Sequence, residues 1–127
     1  VAYADALANM GEDVYFYRFD YHDPTIPKES RLGVHHALEL KYVFGTLGEE
    51  LAANESAGKM SDKMLTAWAN FIKTGDPNGE SGIDGQTWEK YDPANRRDFR
   101  LSEQSAMEPL HGETLMLEIN EALWGEK

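Results

Sequence analysis

Residues 33–45 of this chain read Gly33-Val-His-His-Ala-Leu-Glu-Leu-Lys-Tyr-Val-Phe-Gly45 and are its most informative segment. Apolar residues in and just after it recur at helical spacing, at Leu40, Val43, Phe44 and Leu47. This pattern predicts a helix over residues 36–47, limited by Gly45 and Gly48. His36 therefore lies where a loop turns into an apolar helix.

The segment ahead of this loop predicts a strand from Val14 to Tyr21, because it is β-branched or aromatic at most positions. Its first residues have apolar side chains on both faces, whereas Arg18 and Asp20 introduce charge near its end. We expect the strand to begin in a covered interior and to end near water.

Three further helices and one strand are predicted elsewhere. Residues 1–10 read as the end of a helix already under way, because no capping residue precedes them. Ser61 or Asp62 is expected to cap a helix that continues to Thr74. Residues 114–124 predict the last helix, and residues 99–101 a short strand.

The helix over residues 61–74 is expected to present one apolar stripe, formed by Met64, Leu65, Trp68, Phe71 and Ile72. Met64, Trp68 and Phe71 would also suit an aromatic ligand cage. Their helical spacing favours packing in the core instead.

Composition excludes several classes of partner. The 127 residues have a formal net charge of -11, which argues against nucleic acid and anionic lipid surfaces. No cysteine is present, so disulfides and thiolate chemistry are excluded. No apolar run approaches the roughly 20 residues that cross a bilayer. We expect a cytoplasmic protein.

The quoted run resembles the histidine segment of type-B carboxylesterases and cholinesterases. That segment has a glycine, two residues, the catalytic histidine, two residues, a glutamate, an aliphatic residue and then aromatic-Val-Phe-Gly. The spelling His-Ala-Leu-Glu-Leu from His36 to Leu40 looks especially like bacterial para-nitrobenzyl esterases. Trp68 to Asn78 is similar to the family's Trp-x-x-Phe-x-x-x-Gly-x-Pro-Asn run.

The resemblance implies an α/β fold, as a C-terminal fragment of an α/β-hydrolase with one or two strands and three to four helices. Residues 1–127 would be the C-terminal part of a carboxylesterase catalytic domain, with the upstream part ahead of Val1. No cofactor is expected.

The resemblance also implies that His36 is the catalytic histidine of a Ser-His-acid triad that hydrolyses carboxylic esters. Histidine suits this role because its ordinary pKa lies near working pH, so that it can take a proton from serine and return it. The chain has no Gly-x-Ser-x-Gly elbow, and residues 79–83 come nearest to one. The serine and the acid are expected upstream, so the isolated chain is predicted to be inactive.

Three residues near His36 are expected to have other roles. The family spacing leaves His35 as an adjacent, pocket-edge side chain. Glu39 is expected to brace the loop backbone or the helix N-terminus rather than to act as the triad acid. Leu38 matches a position that lines the substrate pocket in relatives, although an ordinary core leucine is an equal alternative.

Two other functions remain alternatives. His35, His36 and Glu39 could face one metal ion, but adjacent histidines diverge by about 100 degrees on a helix, so no metal site is predicted. A cholinesterase-like binding or adhesion module without catalysis is the second alternative. His22 and His111 are interpreted as surface loop residues.

The strand from Val14 to Tyr21 also predicts a partner. In the family such a strand lies inside a larger sheet, and an unpaired apolar strand edge favours association. We expect it to pair with the upstream part of the enzyme or with a second copy of this chain.

Overall fold

The structure is a computed structural model that describes residues 1–31 and 33–125. The described residues form five helices and three strands. In chain order these are α1 (Ala2–Asn9), β1 (Tyr17–Phe19), α2 (Leu40–Val43), α3 (Glu49–Ala52), α4 (Glu55–Thr74), β2 (Arg97–Leu101), β3 (Ala106–Pro109) and α5 (Glu113–Trp124). The α/β class is confirmed, but the described residues contain more elements than the one or two strands and three to four helices expected.

The sheet has the order β1-β2-β3. β1 runs parallel to β2, with Tyr17 opposite Phe99 and Phe19 opposite Leu101. β2 and β3 are antiparallel. Because β1 and β2 are parallel, their carboxyl ends meet at one edge of the sheet, and the loop that contains His36 starts from this edge.

The predicted strand over residues 14–21 is shorter in the structure. Residues 14–16 do not join a strand, and the Val14 carbonyl accepts a hydrogen bond from the Tyr91 amide at 2.7 Å instead. The end of the predicted strand is near water on one face only. Asp20 is exposed, as expected, whereas Tyr21 is 2% exposed, and Arg18 forms ion pairs with Asp98 at 3.2 Å and Glu108 at 2.7 Å on the neighbouring strands.

The core lies between the sheet and α4. Its fully buried side chains include Tyr42, Met60, Met64, Phe99 and Leu101. Such apolar burial is the dominant favourable term in folding. Met64 therefore has the predicted core role, whereas Phe71 is 43% exposed.

α4 begins earlier than predicted. Asn54 is its N-cap, and its side-chain oxygen accepts a hydrogen bond from the Ala57 amide at 3.0 Å. Ser61 does not cap the helix, because its hydroxyl is buried and donates to the Tyr42 carbonyl at 2.9 Å. The buried face of α4 includes Met60, Met64 and Ala67, and Leu65 and Ile72 of the predicted stripe lie off this face and are 46% and 80% exposed.

The predicted helix over residues 36–47 is reduced to α2. Ala37 has a φ of 66°, in the left-handed region, so a right-handed helix cannot continue through it. Tyr42 and Val43 are buried, whereas Leu40 and Phe44 are 48% and 68% exposed. The predicted apolar face is therefore wrong at both of these positions.

The remaining predicted elements agree more closely with the structure. The helices expected over residues 1–10 and 114–124 are α1 and α5, and the strand expected over residues 99–101 lies within β2. Two elements, α3 and β3, were not expected. Among the described residues, no helix has both the length and the apolar character that crossing a bilayer requires.

Candidate functional site

His36 lies on the loop that joins the carboxyl end of β1 to α2. Its side chain is exposed, and within residues 1–31 and 33–125 its imidazole makes no hydrogen bond. Ala37 follows it with a positive φ, a conformation that is uncommon for a residue with a Cβ. The loop therefore presents an imidazole whose two ring nitrogens can both be used by another group.

His35 differs from His36 in its contacts. Its Nδ1 atom lies 3.1 Å from the carbonyl oxygen of His36, so the ring is folded back on its own loop. Both residues are exposed. Of the two histidines, His36 is therefore the one whose ring makes no hydrogen bond within the described residues.

Glu39 precedes α2 and occupies its N-cap position, but its side chain makes no capping hydrogen bond. The predicted bracing of the helix N-terminus is therefore wrong. The side chain instead lies near Tyr17 on β1. Burial, and after it the charge of Glu39, raise the pKa of the Tyr17 phenol. Glu39 thus contacts the strand rather than the helix end.

Leu38 is buried, with 6% of its surface exposed. It lies between the two exposed histidines and α2 in sequence. A substrate contact at Leu38 stays a prediction.

Asp23 is a residue of this region that the sequence interpretation missed. Its carboxylate is fully buried and lies just after β1. One oxygen accepts hydrogen bonds from the Thr25 amide at 2.9 Å and from the Thr25 hydroxyl. The other accepts from the Tyr42 hydroxyl at 2.8 Å and pairs with the Lys41 ammonium. Asp23 therefore joins the start of the loop to α2.

The spacing of Asp23 and Thr25 was a visible signal, because an aspartate often bonds to the backbone two residues later. The partners on α2 could not be read in the same way. Nothing in the sequence pattern connects residue 23 to residues 41 and 42.

No metal centre forms around the histidines. Within the described parts of the chain, no three His, Asp or Glu side chains converge on a point that could hold an ion. His22 and His111 are exposed, as interpreted from the sequence. The nearest approach to a serine elbow, residues 79–83, lies in turns beyond α4, and Ser81 there is exposed.

The aromatic residues form a small cavity between β1 and the end of α4. Its volume is about 190 Å³, and it is lined by Tyr15, Tyr17, Ala67, Trp68, Phe71, Pro77 and Trp88. The rings of Tyr17 and Trp68 meet edge to face, with centroids 5.1 Å apart. These contacts are of the kind that stabilises aromatic cores.

Comparison with known proteins identifies relatives. The model of the carboxylesterase family matches residues 1–116. Acetylcholinesterase from Gallus gallus is 36% identical over 103 residues, which are 80% of this chain and 13% of that protein. Para-nitrobenzyl esterase from Bacillus subtilis is 34% identical over 113 residues, which are 85% of this chain and 22% of that protein.

Solved structures agree with the sequence comparison. The structure of a PNB esterase superposes with a TM-score of 0.76 at 30% identity, covering 93% of this chain and 23% of that chain. This chain thus spans less than a quarter of the length of these three relatives. It has the fold of the matching part of an α/β-hydrolase esterase, and it belongs to the carboxylesterase family.

Proposed function

We propose that this chain is the C-terminal part of the catalytic domain of a serine carboxylesterase and that His36 is its catalytic histidine. The observation that supports this most is the exposed His36 imidazole, which makes no hydrogen bond within the described residues and lies on the loop that leaves the carboxyl end of β1. Ligands of open α/β sheets bind outside the carboxyl ends of the strands. Family membership agrees with this placement.

The proposed chemistry is hydrolysis of a carboxylic ester through an acyl-serine intermediate. The His36 imidazole takes the proton of a serine hydroxyl as that hydroxyl attacks the ester carbonyl, and it then donates the proton to the leaving alcohol. In the second half it activates water in the same way. Leu38, next but one to His36, is the proposed apolar contact for the ester.

The nucleophile and the triad acid are proposed to lie outside this chain, because the 127 residues contain no Gly-x-Ser-x-Gly elbow. An imidazole alone lacks the oxyanion-stabilising donors that supply much of the acceleration in acyl transfer. The isolated chain would then be inactive.

We also propose that the open edge of β1 takes a partner strand. In the described residues β1 pairs only with β2, so its other edge has backbone groups that need partners. The partner would be a strand from the rest of a longer chain or from a second copy of this one. Either would remove an edge that favours association.

A binding or adhesion module without catalysis is the second candidate. The exposed His36 favours the enzyme, because its imidazole is free to exchange a proton with a reacting group, which binding alone does not require. The two candidates differ in whether a serine in the full-length protein is activated.

An organophosphate labelling experiment tests the proposal. The full-length protein should incorporate one equivalent of organophosphate at a serine, and the His36→Ala variant should react far more slowly because the serine loses its general base. The His35→Ala variant is the matched control and should label like the unmodified protein. Labelling of none would support the binding module instead, whereas equal labelling of all three would show that His36 is not the general base.

A further inference from the structure

The His36 loop is closed by a single buried carboxylate. We name the group formed by Asp23, Thr25, Lys41 and Tyr42 the Asp23 latch. Its Oδ1 atom is held by Thr25 at the start of the loop, and its Oδ2 atom by Lys41 and Tyr42 at the end of the loop. The latch therefore fixes the distance between the two ends of the segment that contains His36.

The Asp23 carboxylate stays ionised although it is buried. Burial raises the pKa of Asp23, but the hydrogen bonds from Lys41, Thr25 and Tyr42 outweigh it and lower the pKa to about 2. All four donors point at the charged form of the carboxylate. A buried carboxylate that is paired in this way is costly to disturb, because removing one partner leaves charge without compensation.

The end of the latch on α2 is itself anchored to the core. Tyr42 is fully buried, and its ring meets that of Tyr21 edge to face, with centroids 5.4 Å apart. Its carbonyl oxygen accepts the hydrogen bond from Ser61 on α4. Tyr42 therefore connects Asp23 to α4, and these contacts fix the position of the loop end.

The part of the loop around His36 lies at the surface. Val34, His35, His36 and Ala37 are all exposed. Ala37 holds a left-handed conformation that persists only where the surroundings impose it. The surroundings here include the turn hydrogen bond from the Leu40 amide to the Ala37 carbonyl at 3.3 Å, the buried Leu38 and the latch.

We propose that Asp23 is a positioning residue for His36, which it holds in register with the carboxyl edge of the sheet by tying both ends of the loop together. This inference rests on the proposed catalytic role of His36. It assigns no contact with substrate to Asp23, and a displacement of about 1 Å at His36 would be enough to lower the rate about 100-fold.

The test uses variants of the full-length esterase. Asp23→Asn keeps the size of the side chain but replaces one accepting oxygen by an NH2 group, so one end of the latch is lost. Tyr42→Phe removes only the phenol hydrogen bond and is the milder change. Asp84→Asn is the control, because Asp84 also pairs with a lysine and accepts a backbone amide, from Lys63 and Ser105, away from the loop.

Two readouts are measured, kcat and KM for a p-nitrophenyl ester, and amide hydrogen exchange of residues 33–39. For Asp23→Asn we expect kcat to fall about 10- to 100-fold with little change in KM, and exchange in the loop to become faster. Tyr42→Phe should show the same pattern with a smaller fall. Asp84→Asn should lower the melting temperature while kcat and loop exchange stay within twofold of the unmodified enzyme.

Other results overturn the inference. If Asp23→Asn and Tyr42→Phe both keep kcat within twofold, Asp23 does not position His36, even where the loop exchanges faster. An equal loss of kcat in Asp84→Asn would assign the effect to general stability. If Asp23→Asn does not fold, Tyr42→Phe decides alone. A normal kcat in His36→Ala would refute the proposed function and, with it, this inference.

Discussion

Trp88 stacks on Phe99, with ring centroids 5.2 Å apart and an interplanar angle of 10°. Phe99 lies on β2, whereas Trp88 lies in the irregular segment that precedes the strand. The indole Nε1 atom donates to the Phe16 carbonyl at 3.2 Å, so the same ring joins β2 to the residue just before β1. The Asn78 side chain holds the Trp88 backbone, accepting its amide hydrogen and donating to its carbonyl. Trp88 thus holds the irregular segment against the sheet.

Trp88→Ala should therefore destabilise the protein strongly. The residue is 3% exposed, and truncating a buried tryptophan costs about 3–5 kcal/mol. Trp88→Phe should cost less, because it keeps the stacking and loses the indole hydrogen bond. Urea unfolding of the full-length protein measures both. A loss below about 1 kcal/mol for the alanine variant would show that the stacked pair is unimportant.

The N-cap of α4 gives a second prediction. Asn54→Ala removes the oxygen that accepts the Ala57 amide and should lower the free energy of unfolding by about 1 kcal/mol. Asn54→Ser, which can cap in the same way, should restore most of the loss. Thermal unfolding of the three proteins provides the comparison, and equal melting temperatures would contradict the assigned start of α4.

The buried carboxylate of Asp23 gives a pH dependence. Its pKa is lowered from 3.8 to about 2 on folding, so the unfolded chain binds this proton more readily than the folded one. The stabilisation, about 2 kcal/mol, is complete above pH 4 and is lost as the pH falls through 2. The difference in unfolding free energy between the unmodified protein and Asp23→Asn should shrink over this window. A difference that does not change with pH would contradict the lowered pKa.

The isolated chain should not hydrolyse esters. The reason is the proposed location of the nucleophile and the oxyanion donors outside this chain. Hydrolysis of a short-chain aryl ester is measured with and without an organophosphate. Activity that the organophosphate abolishes would mean that a serine of this chain acts as a nucleophile.

Local patterns were enough to predict three elements. α1 and α5 agree with the helices expected over residues 1–10 and 114–124, and β2 contains the strand expected from Phe99 and Leu101 on either side of Arg100. The start of α4 was missed although its signal is local, because Asn54 is a preferred capping residue directly before Glu55. The role of Ser61 depends on a distant residue, since its hydroxyl donates to the carbonyl of Tyr42, which no local pattern reveals.

The candidate site was predicted from the sequence motif around His36 and not from the contacts that the residues of this region make in the structure. Glycine, histidine and glutamate at fixed spacing identified the family, which the comparisons confirmed. The left-handed conformation of Ala37 is uncommon for a residue with a Cβ, so nothing in the residue pattern indicated that the helix would be shortened there. Asp23 is bonded to Tyr42 across 19 residues, and no local pattern connects the two. The cytoplasmic location and the exclusion of nucleic-acid and membrane partners stay predictions from composition.

The role of His36 is tested most directly by the kcat of the full-length protein for an aryl ester. In His36→Ala, kcat should fall by several orders of magnitude, on the order of the losses seen when a triad member is removed, whereas His35→Ala should cost far less. Both residues are exposed and adjacent, so their effects on stability should be alike. A larger loss in His35→Ala than in His36→Ala, or no loss in either, would contradict the account.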